Sequence, residues 1–443
     1  LPGCPRPRRP GGSEMTWEAL SARLAARLFA RFEGNRGAAA SAALFPPALE
    51  RLRSTVARFA ADVEPLVAAA DRATADDSQY AREVLVRAAQ AGLLTRFLPR
   101  WAGGEASVTA LQRRGSVPIL MFVEELGAVS PGLATLLGAH YLGAMPILLS
   151  FDVAAMRRLL RPLCERLHAG DPAICAFAIT EPEAGSDVED AMGAQQARLC
   201  TRARRCPGGY VLSGRKVFIS GGNLAALTTV FATLEPQHGI EGWTCFAVRM
   251  DTPGVQVVRV EDKMGQRISP AAELCFEEVF VPEECRVGPE RRGWELNRVT
   301  LDLSRPLVGG LALGAARTVI GDVLAWAERN GLGADRLFHH AAARWIGAYA
   351  AAHALVVRAC RVVPPLPDLS AMAKFVATDT AMRIVSEAME WIGLEATVVG
   401  SRIERLYRDL RLTQIYEGTN EINRLAVFER VEHGQPLSWP RFL

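Results

Sequence analysis

Three short segments of the sequence contain residue types able to do chemistry. Residues 180–187 read TEPEAGSD directly after a β-rich run. Pro182 and Gly185 shape a tight turn there, and Thr180 and Ser186 supply hydroxyls. Small residues let the backbone approach a ligand, so this loop can offer N–H groups to a phosphate or a heterocycle. Residues 216–222 read KVFISGG, a strand ending in a hydroxyl and two glycines, with Phe218 able to pack on a flat ring. Residues 414–421 read QIYEGTNE, where Glu417 follows an aromatic residue, precedes a glycine and sits just before a helix start. A carboxylate held in an apolar pocket has a raised pKa and can act as a general base. Taken singly, each segment also has a plain structural reading: a strand-end turn, a hairpin on a core strand, and an acidic residue favoured by a helix dipole.

Other candidates are weaker. Asp302, Ser304 and Arg305 lie in LDLSR, inside a helical pattern where a surface salt bridge is the default for the charges. His339 and His340 are adjacent, and neighbours on a helix point about 100° apart, so they rarely share a metal. His140 reads as a satisfied core histidine. The nine cysteines form no CxxC group. That points away from zinc, iron–sulfur or disulfide frameworks and towards free thiols in a reducing cytosol. GxSxG, Walker, HExxH and strand-borne GxGxxG motifs are missing. No metal site is expected.

The elements that must position these segments follow from length and patterning. A chain of 443 residues suggests two or three domains, and 49% apolar content argues against disorder. A net charge of +3 gives nucleic-acid binding no support. Lys216, Lys263 and Lys374 are the only lysines. With abundant Ala, this Arg bias suggests a GC-rich bacterial genome. No run of about 18 apolar residues escapes charges or helix breakers, so no membrane span is expected. Residues 1–14 precede the first Met and are read as upstream sequence, and 16–33 as an amphipathic surface helix.

Residues 1–46 are thus an N-terminal extension, partly non-native or flexible. Residues 47–170 show helical spacing, with Leu49, Leu52, Val56 and Phe59 on one face. Residues 171–287 alternate short β-rich runs (CAFAIT, YVLSG, KVFISGG, TTVFATL, WTCFAV, VQVVRV, ELCFEEVFVP) with turn signals, which predicts an antiparallel barrel or sandwich. Residues 288–434 return to long Ala-rich helices, and 435–443 form a tail. A β module between two helical modules offers clefts at its junctions.

In combination and in order, AFAITEPEAGSDV (176–188), GRKVFISGG (214–222), DKMGQRISPAAELCFEEVFVP (262–282), the LDLSRPLVGG and ALGAAR segments (301–317) and RDLRLTQIYEGTNEINR (408–424) resemble the acyl-CoA dehydrogenase family. The resemblance implies an α+β multidomain fold: an N-terminal helical domain, a central β domain and a C-terminal four-helix bundle. It implies FAD, an acyl-CoA substrate and α,β-desaturation, with Glu417 as the base and hydride passing to flavin N5. Some members place the base in the helix holding LDLSR, where this chain has Ser304. Phe177, Ile179, Thr180, Ser186, Phe218, Ile219, Ser220, Gly393, Thr419 and Glu421 match cofactor-binding positions. Ser186, Asp302, Ser304, Arg305, Tyr416 and Gly418 match positions near the substrate.

The resemblance further implies an electron-transfer flavoprotein as acceptor, a homotetramer or homodimer, and a cytoplasmic location. Two elements depart from the family pattern. An RxxFG element has no clean counterpart in 328–340, and QxxGG becomes Glu390-Trp391-Ile392-Gly393-Leu394. This implies weaker or altered FAD binding, with Arg329 and Arg336 as compensating candidates. A flavin oxidase or monooxygenase on the same fold, and a non-catalytic acyl-CoA or flavin-binding relative, are the alternatives.

Overall fold

The computed structural model describes residues 47–107, 115–189, 197, 199–234 and 240–432. The extension, the helix expected over 16–33 and the tail lie outside these residues. Helices α1 (Pro47–Arg72) and α2 (Gln79–Gln90) bury the apolar face that the spacing predicts, including Leu49, Leu52, Val56, Phe59, Val84 and Leu85. Helices α3 (Val117–Val129) and α4 (Pro131–Leu149) are apolar almost all round and form the core of the N-terminal layer. Ser130 caps α4, its Oγ accepting from Gly132 N–H at 3.0 Å, and Pro131 takes the first helical position. Helix α5 (Val153–His168) leads into the sheet.

The sheet consists of β1 (Ile174–Ala178), β2 (Arg202–Cys206), β3 (Gly209–Ser220), β4 (Ala225–Thr233), β5 (Trp243–Arg249), β6 (Val255–Val260), β7 (Ala271–Pro282) and β8 (Arg286–Val287). Its order is β6-β7-β3-β2-β4-β5-β8, with β1 paired to β4. It is sandwich-like and does not close into a barrel. The expected antiparallel pairing needs one correction: β1 runs parallel to β4, and β2 meets β4 in parallel at Arg202 and Thr233. The chain leaves β1 into the turn and short helical segment of residues 179–189 instead of a hairpin, so β1 has no antiparallel neighbour to fold back on. The two runs YVLSG and KVFIS form the single strand β3, whose register against β7 shifts between Leu212 and Gly214. Strand β2 escapes sequence reading because Arg202, Arg204 and Arg205 face outward and leave little apolar alternation.

The C-terminal layer comprises α6 (Gly293–Arg329), α7 (Arg336–Arg361), α8 (Pro367–Ile392), α9 (Arg402–Thr413) and α10 (Asn420–Glu432). Val319, Val323, Phe338, Ile384, Val385 and Leu406 from four of these helices share one core. Helix α6 also lies close against α3: a Cβ on Gly314 would strike the Glu124 carbonyl. By length and composition α4 and α6 could each cross a membrane, yet most of each is buried inside the fold.

One buried carboxylate ties three parts of the chain together. Asp409 on α9 accepts from Ser130 Oγ at 2.6 Å and from the backbone N–H of Gln266. Gln266 in turn donates its amide to the Asp409 carbonyl at 2.9 Å. D409A leaves the Ser130 hydroxyl and the Gln266 N–H without acceptors. It is expected to lower stability by about 2–4 kcal/mol, read from urea unfolding midpoints, with D409N closer to wild type.

Candidate active site

A cavity of about 560 Å³ opens where α3, α4, α6, the ends of β1 and β3, and the loop before α10 meet. The three segments singled out in the sequence converge on it through specific bonds. Val217 N–H donates to the Thr180 carbonyl at 2.9 Å, joining the first segment to the second. Thr419 N–H donates to Ser186 Oγ at 3.1 Å, joining the first to the third.

Beneath the first two segments lies a buried ion pair. Lys216 Nζ is 2.8 Å from Glu181 Oε1 and donates to the Ile179 carbonyl at 2.9 Å. Glu181 also accepts from Cys200 N–H at 2.6 Å and from Thr201 N–H at 3.2 Å. Burial opposes its charge, but Lys216 and these N–H donors hold its carboxyl below the usual range. The pair fixes the strand end from which Ile179 and Thr180 reach the cavity. Phe218, next to this pair, adopts φ 57° and is 58% exposed at the cavity wall. A positive φ on a bulky residue is a strained choice, tolerated where the surroundings require the side chain to face one way.

Glu417 also adopts a positive φ, 59°, followed by Gly418 at 77°. Lys374 on α8 holds this bend by donating to the Gly418 carbonyl at 2.8 Å and to Asn420 Oδ1 at 2.7 Å. Asn423 donates to the same carbonyl at 3.0 Å. The Glu417 carboxylate lines the cavity, and Ser304 Oγ donates to its Oε2 at 2.6 Å. Oε1 has no hydrogen-bond partner among the described residues. Burial pushes the Glu417 carboxyl up to about 7; the Ser304 hydrogen bond pulls it down, Glu189 raises it, and Arg305 and Lys374 lower it. Burial likewise pushes the Lys374 ammonium down to about 7.

Phe177, Ile179, Thr180, Ser186, Phe218, Ile219, Ser220, Ser304, Tyr416, Gly418 and Thr419 all line the cavity beside Glu417. Asp302 and Arg305 sit buried behind it, joined at 3.2 Å. The reading of their charges as a surface salt bridge is therefore corrected: α6 turns that face inward, against the loop before α10. Gly393 and Glu421 do not reach the cavity. Gly393 ends α8 on an exposed loop, and Glu421 points to solvent on α10, 3.5 Å from Arg424. His140 is fully buried, bonded to the Leu94 carbonyl at 2.8 Å and to Cys175 N–H at 3.0 Å. His339 Nε2 meets the Gly333 carbonyl at 2.9 Å.

Sequence reasoning missed four contributors. Glu189 lines the cavity and pairs with Arg305 at 2.9 Å. Thr135, Gln266 and the Tyr416 hydroxyl form a small hydrogen-bonded ring: Thr135 Oγ1 to Gln266 Oε1 at 2.9 Å, Gln266 Nε2 to Tyr416 Oη at 3.2 Å, and the two hydroxyls 3.3 Å apart. Lys374 is the fourth. A lone lysine on an Ala-rich helix of an arginine-dominated chain was a legible signal for it; Glu189, Thr135 and Gln266 offered none.

With this geometry in place, comparison with known proteins agrees with it along the chain. Residues 46–166 match the N-terminal, 176–279 the middle and 291–432 the C-terminal domain of acyl-CoA dehydrogenases. The chain is 33% identical to cyclohex-1-ene-1-carbonyl-CoA dehydrogenase of Geobacter metallireducens over 357 residues, covering 79% of this chain and 88% of that one. Butyryl-CoA dehydrogenase from Megasphaera elsdenii superimposes with a TM-score of 0.77 at 27% identity, covering 88% of this chain and 99% of that chain. A chain from structural work on the electron transferring flavoprotein of Acidaminococcus fermentans gives a TM-score of 0.78 at 28% identity, covering 88% and 98%. The chain belongs to the acyl-CoA dehydrogenase family. It is an oxidoreductase of that class, with FAD as its cofactor.

K216M leaves Glu181 buried without its cation. It is expected to lower stability by about 3–5 kcal/mol, whereas K216M/E181Q recovers part of the loss in thermal unfolding.

Proposed function

We propose that this protein desaturates an acyl-CoA thioester between its α and β carbons, with Glu417 as the general base. One observation carries the reading: a carboxylate in a largely apolar cavity, with one oxygen held by Ser304 and the other open to that cavity. Its pKa near 7 matches a base that works near neutral pH.

Glu417 Oε1 takes the α-proton. The charge that develops on the thioester oxygen needs a donor, and the Glu417 N–H has no acceptor among the described residues. On either side of this bend, Tyr416 N–H donates to the Leu412 carbonyl and Thr419 N–H to Ser186 Oγ. A fixed N–H aimed at developing charge stabilises an enolate-like transition state without reorganisation. Gly418 leaves room beside it, and the apolar walls exclude water.

The site suits a flavin. The exposed Phe218 offers an aromatic face to a flat heterocycle, and Phe177, Ile179 and Ile219 continue the apolar wall. Thr180, Ser186 and Ser220 add hydroxyls, so these seven residues would hold the ring system. Bound FAD supplies the acceptor for the β-hydride. Ser304 stands where another carboxylate would compete as base, and instead orients Glu417.

The reading extends to electron-transfer flavoprotein as the acceptor, to a homotetramer or homodimer, and to a cytoplasmic bacterial enzyme. The family membership and the resemblance of the motifs support these.

E417Q is expected to lower kcat/KM by about 10²–10⁴-fold with flavin still bound, measured by anaerobic bleaching of the flavin band with an acyl-CoA panel. Retained desaturation would overturn the base assignment. Because the base acts ionised, wild-type kcat/KM should fall as pH drops through about 7. S304A removes a hydrogen bond that favours the carboxylate, so its pH–rate profile should move to higher pH.

A further inference from the structure

Glu189 is a second carboxylate in the cavity that holds Glu417, and the reaction as described does not use it. It ends the short helical turn Ser186–Glu189, and its side chain is only 9% exposed. Its Oε2 accepts from Arg305 Nη2 at 2.9 Å. The same guanidinium donates through Nη1 to Asp302 Oδ1 at 3.2 Å and through Nε to the Glu417 carbonyl at 3.4 Å. Two carboxylates therefore grip the fork of Arg305 from opposite sides, and the grip directs its third donor onto the backbone of the base. The carboxylate also abuts the bend itself: a Cβ on Gly418 would run into Glu189 Oε2.

We propose that Glu189 is a positioning residue for the base: it holds Arg305 against the Glu417 carbonyl and, as a second negative charge beside it, sets the pH at which Glu417 becomes available. The inference rests on Glu417 being the base.

The charges around Glu417 come from three directions. Glu189 approaches from the turn after β1. Arg305 and Asp302 approach from α6, where Ser304 also donates its hydrogen bond. Lys374 approaches from α8, bonded to the next carbonyl along. Tyr416 is turned away into its ring with Thr135 and Gln266. Arg305 and Lys374 favour the ionised base, and Glu189 opposes it. Neutralising Glu189 removes the negative charge that opposes ionisation of its neighbour, so Glu417 ionises more readily.

The test compares wild type, E189Q and E417Q as FAD-loaded proteins. In E189Q the acid limb of kcat/KM should move down by about one pH unit, a roughly tenfold gain at pH 5.5 relative to the pH 8 plateau. A readout independent of turnover is the infrared carboxyl band of Glu417, identified by its loss in E417Q and titrated without substrate; it should shift the same way. If E189Q fails to fold, E189S removes the same charge and is read by the infrared titration. An unmoved limb and an unmoved band overturn the proposal, as does a uniform loss of activity at every pH, which is what a purely structural role would give. Full activity in E417Q would instead sink the base assignment itself, and the infrared titration still reports whether the two carboxylates are coupled.

Discussion

A carboxylate inside an apolar cavity must be able to ionise, yet must not be paired so tightly that it ceases to accept a proton. Much of the arrangement around Glu417 answers that constraint. No cation forms a direct salt bridge with its carboxylate among the described residues. Arg305 and Lys374 meet backbone carbonyls of the bend, at Glu417 and Gly418, so their charge is felt without capping the oxygens. The one direct partner is a neutral hydroxyl, Ser304. Burial raises the carboxyl, the two cations restrain the rise, and the result lies near neutrality.

That balance depends on elements far apart in sequence. Helix α6 supplies Ser304 and Arg305, α8 supplies Lys374, and the turn after β1 supplies Glu189 and Ser186. The left-handed backbone of Glu417 and Gly418 would be costly in isolation; Lys374 and Asn423 on their carbonyls make it the bonded state. At the other end of the cavity, the Lys216–Glu181 pair does comparable work for Ile179 and Thr180. Buried ion pairs are weak evidence for stability, because desolvation offsets their attraction, but breaking one is costly. Here the Lys216–Glu181 pair and the Lys374 hydrogen bonds both serve position: each fixes a short irregular segment that has little regular secondary structure to hold it.

The departures in 328–340 and 390–394 fall away from this cavity. Leu394 is 87% exposed, and Gly393 opens a surface turn. None of these residues lines the cavity that holds Glu417, so its apolar wall and the contacts around Glu417 do not depend on them.

The sequence alone determined the order of helical, β and helical layers, because periodicity of apolar residues is a local property that neighbours along the chain express directly. It also determined which three segments matter, since TEPEAGSD, KVFISGG and QIYEGTNE carry turn-forming glycines and hydroxyls that a plain core strand does not need. It did not reveal β2, whose outward arginines erase the alternation, nor the parallel pairing of β1 with β4, which depends on where the chain goes after leaving β1. Only the tertiary structure turned Asp302 and Arg305 inward, set Ser304 on Glu417, and joined Lys216 to Glu181 across 35 residues. It alone put Glu189 beside Glu417. The environment of a charge is set by what surrounds it in three dimensions, and an acidic residue in a loop looks the same in sequence whether it ends in water or against a buried arginine.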